Sequence, residues 1–536
     1  MAKAQFGMIG LGTMGRNFLL NVAEHGYSGA GYDLDAEKRR LLLEEGKDYD
    51  LQTGETLAEF LAALESPRKI MLLVPAQVVD FVIDDLLKAL DEGDIVIDGG
   101  NSHFPDTERR ETVLAAKNIE FLGVGVSGGE EGARHGASIM IGGKKEVYEH
   151  VRPFLEAASA RVNNESCAAY VGAGSAGHFV KMVHNGIEYG LMQILAETYD
   201  FMLRVLRMDY PQMAATFARW NDSELNSFLV EITAEVLRKE DAETGRPLVE
   251  MVLDKAAQKG TGKWTSQAAM DFGVPIPTID SAVSMRQISS QKETRQLIAQ
   301  KYGSAPPAAE HQQKTDGETV TSEPQHDMKA AFAPHEVETV VSRQQKEKIG
   351  AEEHEEAAKT VENPADEARN ADLRAEKADD FDRFVEELKN ALLASFITTY
   401  AQGMSLLQTV SVEKNYGLNL AEIAKIWRGG CIIRSALLEE MRRAFAENKD
   451  LPNLLLDDKF AEILSKNRED WRRINTHFTE SRVPSLCLSS ALAYFDAFRS
   501  ERLPANLIQS QRDFFGAHTY QRIDREGIFH TPDWDK

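Results

Sequence analysis

Cysteine is scarce in this sequence, and so are long apolar runs. Three cysteines, Cys167, Cys431 and Cys487, in 536 residues cannot form a disulfide framework, so they predict reduced and mostly buried thiols in a reducing compartment. No apolar run approaches the roughly 18 residues that a membrane-spanning helix needs. The N-terminus MAKAQFGMIG has no basic region followed by an apolar run and a cleavage site. The sequence therefore predicts a cytoplasmic protein without a membrane partner.

Positive charge is also in short supply. The chain has 61 Lys and Arg against 85 Asp and Glu, for a formal net charge of −24. Nucleic acid is not predicted as a partner, because phosphate backbones need clustered basic residues. A small anionic substrate is not excluded, since a local basic pocket can oppose the overall sign. The histidines and cysteines show no metal-ligand spacing such as H-E-x-x-H or C-x-x-C, so no metal site is predicted.

Strand and helix patterns alternate over the first 170 or so residues. The strand candidates are AQFGMIG (4–10), GAGYDLD (29–35), RKIMLLV (68–74), DIVIDGG (94–100) and IEFLGVGV (119–126). Strands that alternate with helices predict a parallel, doubly wound α/β sheet. After about residue 175 only amphipathic helical runs remain. We therefore predict an α/β domain over 1–176, followed by a large all-α domain over 177–500.

Residues 304–380 interrupt the helical pattern. They hold 19 acidic and nine basic residues and one aromatic, so about ten of the 24 net negative charges lie there. Such a composition buries too little apolar surface to offset the entropy of ordering the chain. We predict a largely disordered acidic insertion with helical ends, either a tolerated surface loop or a partner-binding segment.

The sequence GLGTMG at residues 10–15 matches G-x-G-x-x-G between a predicted strand and a predicted helix. Gly10 would allow the tight turn, Gly12 would let the backbone approach a pyrophosphate, and Gly15 would let helix pack on strand. The N–H groups at the helix start would then face the phosphates. This context predicts a Rossmann-type dinucleotide-binding domain.

Asp33 follows the second predicted strand, about 20 residues after the glycines. A carboxylate there accepts hydrogen bonds from the ribose hydroxyls and repels a 2′-phosphate, which favours NAD over NADP. Asp35 adds a second negative charge, although Lys38 and Arg39 lie just downstream. The alternative interpretation is that Asp33 is a helix N-cap.

The stretch KMVHNGIEYG, residues 181–190, combines several proton-carrying groups. In a helix, one face would present Lys181, His184, Asn185 and Glu188. An amine and a carboxyl at i and i+7 are too far apart for a surface ion pair, so this face suits proton transfer better than a solvated helix surface. An amine acts as a base only if burial or a neighbouring cation lowers its pKa.

Six segments together resemble the decarboxylating 6-phosphogluconate dehydrogenase family. They are IDGGNS (97–102), GVSGGEEGAR (125–134), GHFVKMVHNGIEYG (177–190), QKGTGKWT (258–265), WRGGCIIRS (427–435) and NLIQSQRDFFGAHTY (506–520). The resemblance runs nearly end to end and leaves out only 304–380, where the family has a short connection. It implies oxidative decarboxylation of 6-phospho-D-gluconate to D-ribulose 5-phosphate and CO2, in the pentose phosphate pathway or gluconate utilization. It also implies a homodimer whose C-terminal tail, 501–536, reaches the neighbouring subunit's site.

By this resemblance, Lys181 takes the proton of the substrate 3-hydroxyl and later returns one to the carbonyl oxygen, and Glu188 protonates C1. The implied substrate contacts are Asn101, Ser127, Gly128, Gly129, His184 and Asn185 for the carboxylate and hydroxyls, Tyr189, Lys259 and Arg286 for the phosphate, and Arg512 and His518 from the tail. The implied cofactor contacts are Gly10, Gly12, Thr13, Met14, Gly15, Asp33, Val74 and Asn101.

The chain departs from the family at the cofactor-selectivity loop. Most long-form members carry Asn-Arg-Thr there, with the arginine on the 2′-phosphate, whereas this chain has Asp33-Leu34-Asp35, and Pro75 stands where lysine is common. We therefore predict NAD as the preferred cofactor, with NADP as the other candidate. Two alternatives stay open: a β-hydroxyacid dehydrogenase acting on another acid, which would lack the phosphate-binding cations, and a non-catalytic scaffold on the same fold.

Overall fold

An eight-stranded sheet organises the N-terminal domain. The computed structural model describes residues 2–303 and 364–534. The strands are β1 (Phe6–Ile9), β2 (Gly29–Tyr32), β3 (Leu51–Thr53), β4 (Lys69–Leu72), β5 (Ile95–Asp98), β6 (Glu120–Ser127), β7 (Ser138–Gly143) and β10 (Ala168–Gly172), with a separate hairpin of β8 (Arg161–Val162) and β9 (Glu165–Ser166). Their order in the sheet is β10-β7-β6-β5-β4-β1-β2-β3.

The prediction of a doubly wound sheet is confirmed, but the sheet is not wholly parallel. β6 and β7 pair antiparallel, and every other neighbouring pair is parallel. Only residues 128–137 join these two strands, and a parallel crossover needs a dozen or more residues. The short connection therefore makes β7 return along β6.

Both faces of the sheet are covered. The helices are α1 (Thr13–Glu24), α2 (Ala36–Glu45), α3 (Leu57–Ala62), α4 (Val79–Leu86), α5 (Phe104–Ala115), α6 (Gly129–His135) and α7 (Lys145–Ala157). Successive β5 residues belong to different cores: Ile95 and Ile97 pack in one, and Val96 packs in the other. Strands buried on both faces in this way are continuous apolar runs, as the sequence shows.

The second half of the described chain is helical. Its helices are α8 (Ala176–Arg204), α9 (Tyr210–Asn221), α10 (Phe228–Arg238), α11 (Leu248–Met251), α12 (Thr261–Asp271), α13 (Pro277–Ser290), α14 (Lys292–Tyr302), α15 (Pro364–Glu413), α16 (Leu420–Ile426), α17 (Leu437–Glu447), α18 (Asp458–Glu480), α19 (Leu486–Phe498) and α20 (Ala505–Gly516). The sheet ends at Gly172 and α8 begins at Ala176, so the predicted boundary at 176 falls on the first residues of α8.

The acidic segment is described only in part. The helix that the sequence predicted from residue 381 begins at Pro364, inside that segment. The rest of the predicted insertion, 304–363, lies outside the described residues. Across the described ranges, no helix combines the length and apolar character that a membrane crossing requires.

Candidate active site

Helix α8 brings the predicted proton-carrying side chains together. Lys181 is 6% exposed, and its Nζ lies 3.5 Å from Nδ1 of His184, which is fully buried. The same Nδ1 lies 3.0 Å from Oδ1 of Asn185, and Nε2 lies 3.3 Å from Oγ of Ser127. These contacts fit the tautomer in which Nδ1–H donates to Asn185 and Nε2 accepts from the Ser127 hydroxyl. The imidazole therefore joins the end of β6 to the middle of α8.

Burial shifts the pKa values of Lys181 and Glu188 in opposite directions. Burial lowers the pKa of the Lys181 amine to about 8, and the charge of Glu188 opposes that shift. Burial raises the pKa of Glu188, and the charges of Lys181 and Arg286 oppose that shift. The pKa of His184 is lowered well below its ordinary value by burial and then by Lys181, which keeps the imidazole neutral. The site thus pairs an amine whose pKa is lowered with a carboxyl whose pKa is raised, the combination typical of an acid–base pair.

Close packing fixes the position of Lys181. A β-carbon on Gly125 would lie 2.4 Å from Cβ of Lys181, so only glycine at this point of β6 allows the helix to come so near. On the other side, the Trp427 ring meets the His184 ring edge-on, with centroids 5.5 Å apart. The Cys431 thiol donates to the carbonyl oxygen of Trp427 at 3.0 Å. Trp427 and Cys431 were not predicted as site residues; the signal for them was their place in the motif WRGGCIIRS (427–435).

A cation and an aromatic ring meet at Tyr189, the residue after Glu188 on α8. The guanidinium carbon of Arg286, on α13, lies 3.4 Å from the ring centroid of Tyr189, on α8. Arg286 also donates to the carbonyl oxygen of Ala257 at 3.0 Å, and the exposed Lys259 follows two residues later. A planar guanidinium held in this way suits recognition of a phosphate.

The segment that carries Lys259 also reaches the centre of the site. Asn185 Nδ2 donates to the hydroxyl oxygen of Thr261 at 3.2 Å. Thr261 was not predicted as a site residue; the signal for it was its place in the quoted motif 258–265. The hydrogen bond connects the predicted phosphate-binding residues with those predicted to hold the substrate hydroxyls.

The glycine loop has the form that its sequence predicts. Gly10 has a φ of 94°, and a β-carbon on Gly15 would lie 1.8 Å from the carbonyl oxygen of Gly10, so both positions require glycine. At Gly12 a β-carbon would meet nothing within 4 Å, which leaves space for a ligand beside the backbone. Thr13 and Met14 begin α1, whose first N–H groups are free for an anion. The loop therefore fits a dinucleotide pyrophosphate.

Asp33 faces the glycine loop. Its Oδ2 accepts from the backbone N–H of Leu11 at 2.8 Å, and its Oδ1 accepts from the N–H of Asp35 at 3.0 Å. The interpretation of Asp33 as a helix N-cap is wrong, because Asp35 caps α2 by accepting from Glu37 N–H. Leu34, where the family usually has arginine, is 88% exposed.

The downstream basic residues turn back toward Asp33. Lys38 Nζ lies 3.4 Å from the Asp33 carboxylate. Arg39 donates to the carbonyl oxygen of Asp33 at 2.5 Å. Both cations are thus engaged within the loop itself.

A buried ion pair shapes the turn at the end of β5. The Asp98 carboxylate is fully buried and accepts from Gly100 N–H at 3.1 Å, from Ser102 Oγ at 2.7 Å and from Arg110 at 3.0 Å. This turn presents the exposed Asn101. A β-carbon on Gly100 would lie 3.3 Å from the carbonyl oxygen of Val74, so the predicted cofactor contacts after β4 and β5 are neighbours.

The last two predicted residues do not join this cluster. Arg512 donates to Gln509 at 3.0 Å, and His518 packs on Phe515 with ring centroids 5.8 Å apart, both within the tail. Asp513 organises the tail, accepting from the backbone of Thr519 and Thr531 and from the side chains of His530 and Trp534. The tail thus has its own structure, and its exposed apolar side chains include Phe514, Phe515, Ile523 and Ile528.

Comparison with known proteins covers both domains of the chain. The NAD binding domain of 6-phosphogluconate dehydrogenase matches residues 5–172, and the C-terminal domain of the same enzyme matches 177–333 and 336–534. This chain belongs to the 6-phosphogluconate dehydrogenase family. The NADP(+)-dependent, decarboxylating 6-phosphogluconate dehydrogenase of Bacillus subtilis is 42% identical over 537 residues, covering 100% of both chains. The decarboxylating enzyme of Escherichia coli is 41% identical and covers 99% of both.

A solved structure supports the same assignment. The 6-phosphogluconate dehydrogenase of Plasmodium falciparum matches with a TM-score of 0.82 and 37% identity, over 98% of this chain and 100% of that one. It has been solved in its apo form, with its cofactor NADP+ and with its substrate 6-phosphogluconate. The predicted fold class, a doubly wound α/β domain followed by a large helical domain and a tail, is that of the family.

Proposed function

We propose that this chain catalyses the oxidative decarboxylation of 6-phospho-D-gluconate to D-ribulose 5-phosphate and CO2, with NAD as the preferred hydride acceptor. The observation that carries the proposal is the arrangement on α8. A buried lysine with a pKa lowered to about 8 and a carboxyl with a raised pKa lie seven residues apart on one helix face. A reaction that moves one proton on oxygen and delivers another to carbon needs such a pair.

Lys181 is the base of the first step. Its neutral amine takes the proton of the substrate 3-hydroxyl as C3 is oxidised, and bound NAD supplies the hydride acceptor. The 3-keto group that results accepts the electron pair released when the C1–C2 bond breaks and the C1 carboxylate leaves as CO2. Lys181 then returns its proton to that oxygen, which gives an enediol. Glu188 protonates the former C2, which is C1 of the product, while Lys181 takes back the proton of the enol hydroxyl, and the ketose results. The neutral His184 adds no charge beside Lys181, so burial alone accounts for the low pKa of the amine.

The remaining predicted contacts divide between the two ends of the substrate. The phosphate end is assigned to Tyr189, Lys259 and Arg286. The carboxylate and hydroxyls are assigned to Asn101, Ser127, Gly128, Gly129, His184 and Asn185. Support comes from the hydrogen bonds among Ser127, His184 and Asn185 and from the stacking of Arg286 on Tyr189.

The cofactor preference rests on the loop after β2. Asp33 places a carboxylate beside the glycine loop, where it would accept from the ribose hydroxyls and repel a 2′-phosphate. Arg39 and Lys38, the nearby cations, are engaged with Asp33. The relative from Bacillus subtilis is named as NADP(+)-dependent, so the preference proposed here separates this chain from that enzyme.

Initial rates with 6-phosphogluconate, with NAD and NADP titrated separately, test this function. We expect turnover with both reduced cofactor and CO2 as products, and a higher kcat/KM with NAD. Turnover without CO2 would indicate a simple β-hydroxyacid dehydrogenase. Folded protein that binds nucleotide but turns over with neither cofactor would indicate a scaffold.

We also propose a homodimer in which the tail completes the partner's site. Among the described residues, Arg512 bonds to Gln509 and His518 packs on Phe515 of the same tail, and apolar residues beside them are exposed. Mixing two inactive proteins tests it. We expect Lys181→Met and Arg512→Gln subunits, refolded together, to regain part of the wild-type rate, since a mixed dimer holds one site with both residues intact. Re-formed mixed dimers with no regained rate would contradict the exchange.

A further inference from the structure

A buried carboxylate on α8 has no part in the chemistry above. Glu197 is 2% exposed and lies nine residues beyond Glu188 on the same helix. Burial raises the pKa of its carboxyl to about 7, against hydrogen bonds from the backbone of Cys487 and Leu488. A buried acid is costly unless its hydrogen bonds are specific, so its partners indicate its role.

Those partners are the first N–H groups of another helix. The two carboxylate oxygens accept from Cys487 N at 3.0 Å and Leu488 N at 2.9 Å. These residues begin α19, and Ser485, at its N-cap position, makes no side-chain capping bond. Glu197 therefore replaces the missing cap, with its charge at the positive end of the helix.

Helix α19 in turn holds the start of α13. The Cys487 thiol donates to the carbonyl oxygen of Thr278 at 3.3 Å, and the hydroxyls of Ser490 and Ser281 lie 2.6 Å apart. The fully buried Gln402 makes two further bonds to Thr278, of 2.9 and 2.7 Å. The N-terminal end of α13 is thus fixed by a polar network that reaches Glu197 through Cys487.

Arg286 lies eight residues beyond Thr278 on α13, about 12 Å along the helix. It stacks on Tyr189, which belongs to α8 like Glu197. Helices α8 and α13 therefore pack directly on each other, with Tyr189 and Arg286 part of that contact, and are joined a second time through α19 at Glu197. The second contact limits how α13 can slide or rotate on α8.

We infer that Glu197 is a positioning residue for substrate binding: by capping α19 it holds α13 in the register that places Arg286 on the substrate phosphate. The inference rests on the proposed function, which assigns the phosphate to Arg286. If Glu197 positions the phosphate site, changing it should weaken the binding of substrate and of inorganic phosphate. The rate of the chemical step and the binding of the cofactor should stay the same.

The test is the Glu197→Gln variant. Glutamine keeps the shape of the side chain, but its N–H₂ group faces one of the two α19 N–H groups and cannot accept a hydrogen bond from it. We expect KM for 6-phosphogluconate and the inhibition constant of inorganic phosphate to rise together, roughly tenfold, with kcat within about threefold and KM for NAD unchanged. Gln193→Leu is the matched control, since it removes the 3.3 Å bond from Gln193 to Glu197 and leaves the α19 contacts in place. Its constants should equal those of the wild type.

A double-mutant cycle separates this role from general destabilisation. In an Arg286→Gln background, Glu197→Gln should change KM by less than about twofold, because the residue it positions is gone. A full additional rise in that background, or a lower Tm with unchanged KM in the single variant, would overturn the inference. If Arg286→Gln itself leaves KM unchanged, the phosphate assignment fails and the inference fails with it.

A milder variant covers the case in which Glu197→Gln does not fold. Ser490→Ala removes the hydroxyl contact between α19 and α13, together with a bond inside α19 to the carbonyl oxygen of Leu486. We expect it to raise KM for 6-phosphogluconate about two- to threefold with kcat unchanged, and an unchanged KM would overturn the inference.

Discussion

Replacing Lys181 by methionine is expected to lower kcat/KM for 6-phosphogluconate by roughly 10²- to 10⁴-fold, the contribution typical of a general base. Methionine matches the length of lysine and suits a position that is only 6% exposed, so the helix should keep its packing. NAD affinity should stay within about twofold, because the glycine loop belongs to the other domain. Steady-state rates and titration of NAD by protein fluorescence measure the two quantities.

Lys117→Met is the matched control, since Lys117 is an exposed lysine just after α5. Its rates should equal those of the wild type. A Lys181→Met protein that binds NAD and turns over at the wild-type rate would show that another group takes the hydroxyl proton.

The same assignment fixes the direction of the pH dependence. Lys181 acts as a base only when neutral, and burial lowers its pKa to about 8. In the wild type, kcat/KM should therefore rise about tenfold per pH unit below that value and level off above it. The residual activity of Lys181→Met should lack this rise. A wild-type profile that is flat between the ordinary pKa values of histidine and lysine would contradict the role of the amine.

Local sequence periodicity was enough to predict the helix face that carries Lys181 and Glu188. A helix fixes which residues share a side by spacing alone, and the glycine loop is equally local, because its turn and its helix start lie within six residues. Both features could be read without knowing where any other part of the chain lies.

The groups that tune this face could not be predicted, because they arrive from distant parts of the chain. Trp427 packs against His184 from 243 positions away, and Glu197 meets Cys487 across 290. Such contacts depend on how helices pack and not on any short pattern. The antiparallel return of β7 was missed for a different reason: Ser138–Gly143 was not among the predicted strands, so its direction relative to β6 could not be predicted either.

Asp33 and Asp35 show the same limit at short range. Both are aspartates beside a helix start, and composition cannot say which one caps it. The structure gives the cap to Asp35 and leaves Asp33 facing the glycine loop. The cofactor prediction therefore depends on the carboxylate of Asp33 and not on that of Asp35.

Changing the triplet to Asn-Arg-Thr, by Asp33→Asn, Leu34→Arg and Asp35→Thr, is expected to reverse the cofactor preference. Asparagine can still accept from Leu11 N–H, and threonine can still cap α2, so the loop should keep its shape. The variant removes a carboxylate near the expected place of the 2′-phosphate and adds an arginine that can make a charge-assisted hydrogen bond to that phosphate. Each change should improve the free energy of NADP binding by about 1.5–3 kcal/mol. Together they should move the NADP-to-NAD ratio of kcat/KM by roughly 10²- to 10⁴-fold.

Two further variants locate the cause of the reversal. Leu34→Gln adds length without charge and should leave the wild-type ratio within about threefold, since a neutral amide cannot replace the arginine. Arg39→Gln should leave the preference for NAD intact, because Arg39 is bound to the carbonyl oxygen of Asp33. If the wild type instead prefers NADP and Arg39→Gln abolishes that preference, then Arg39 leaves this carbonyl to hold the 2′-phosphate. In that case the carboxylate of Asp33 does not select the cofactor.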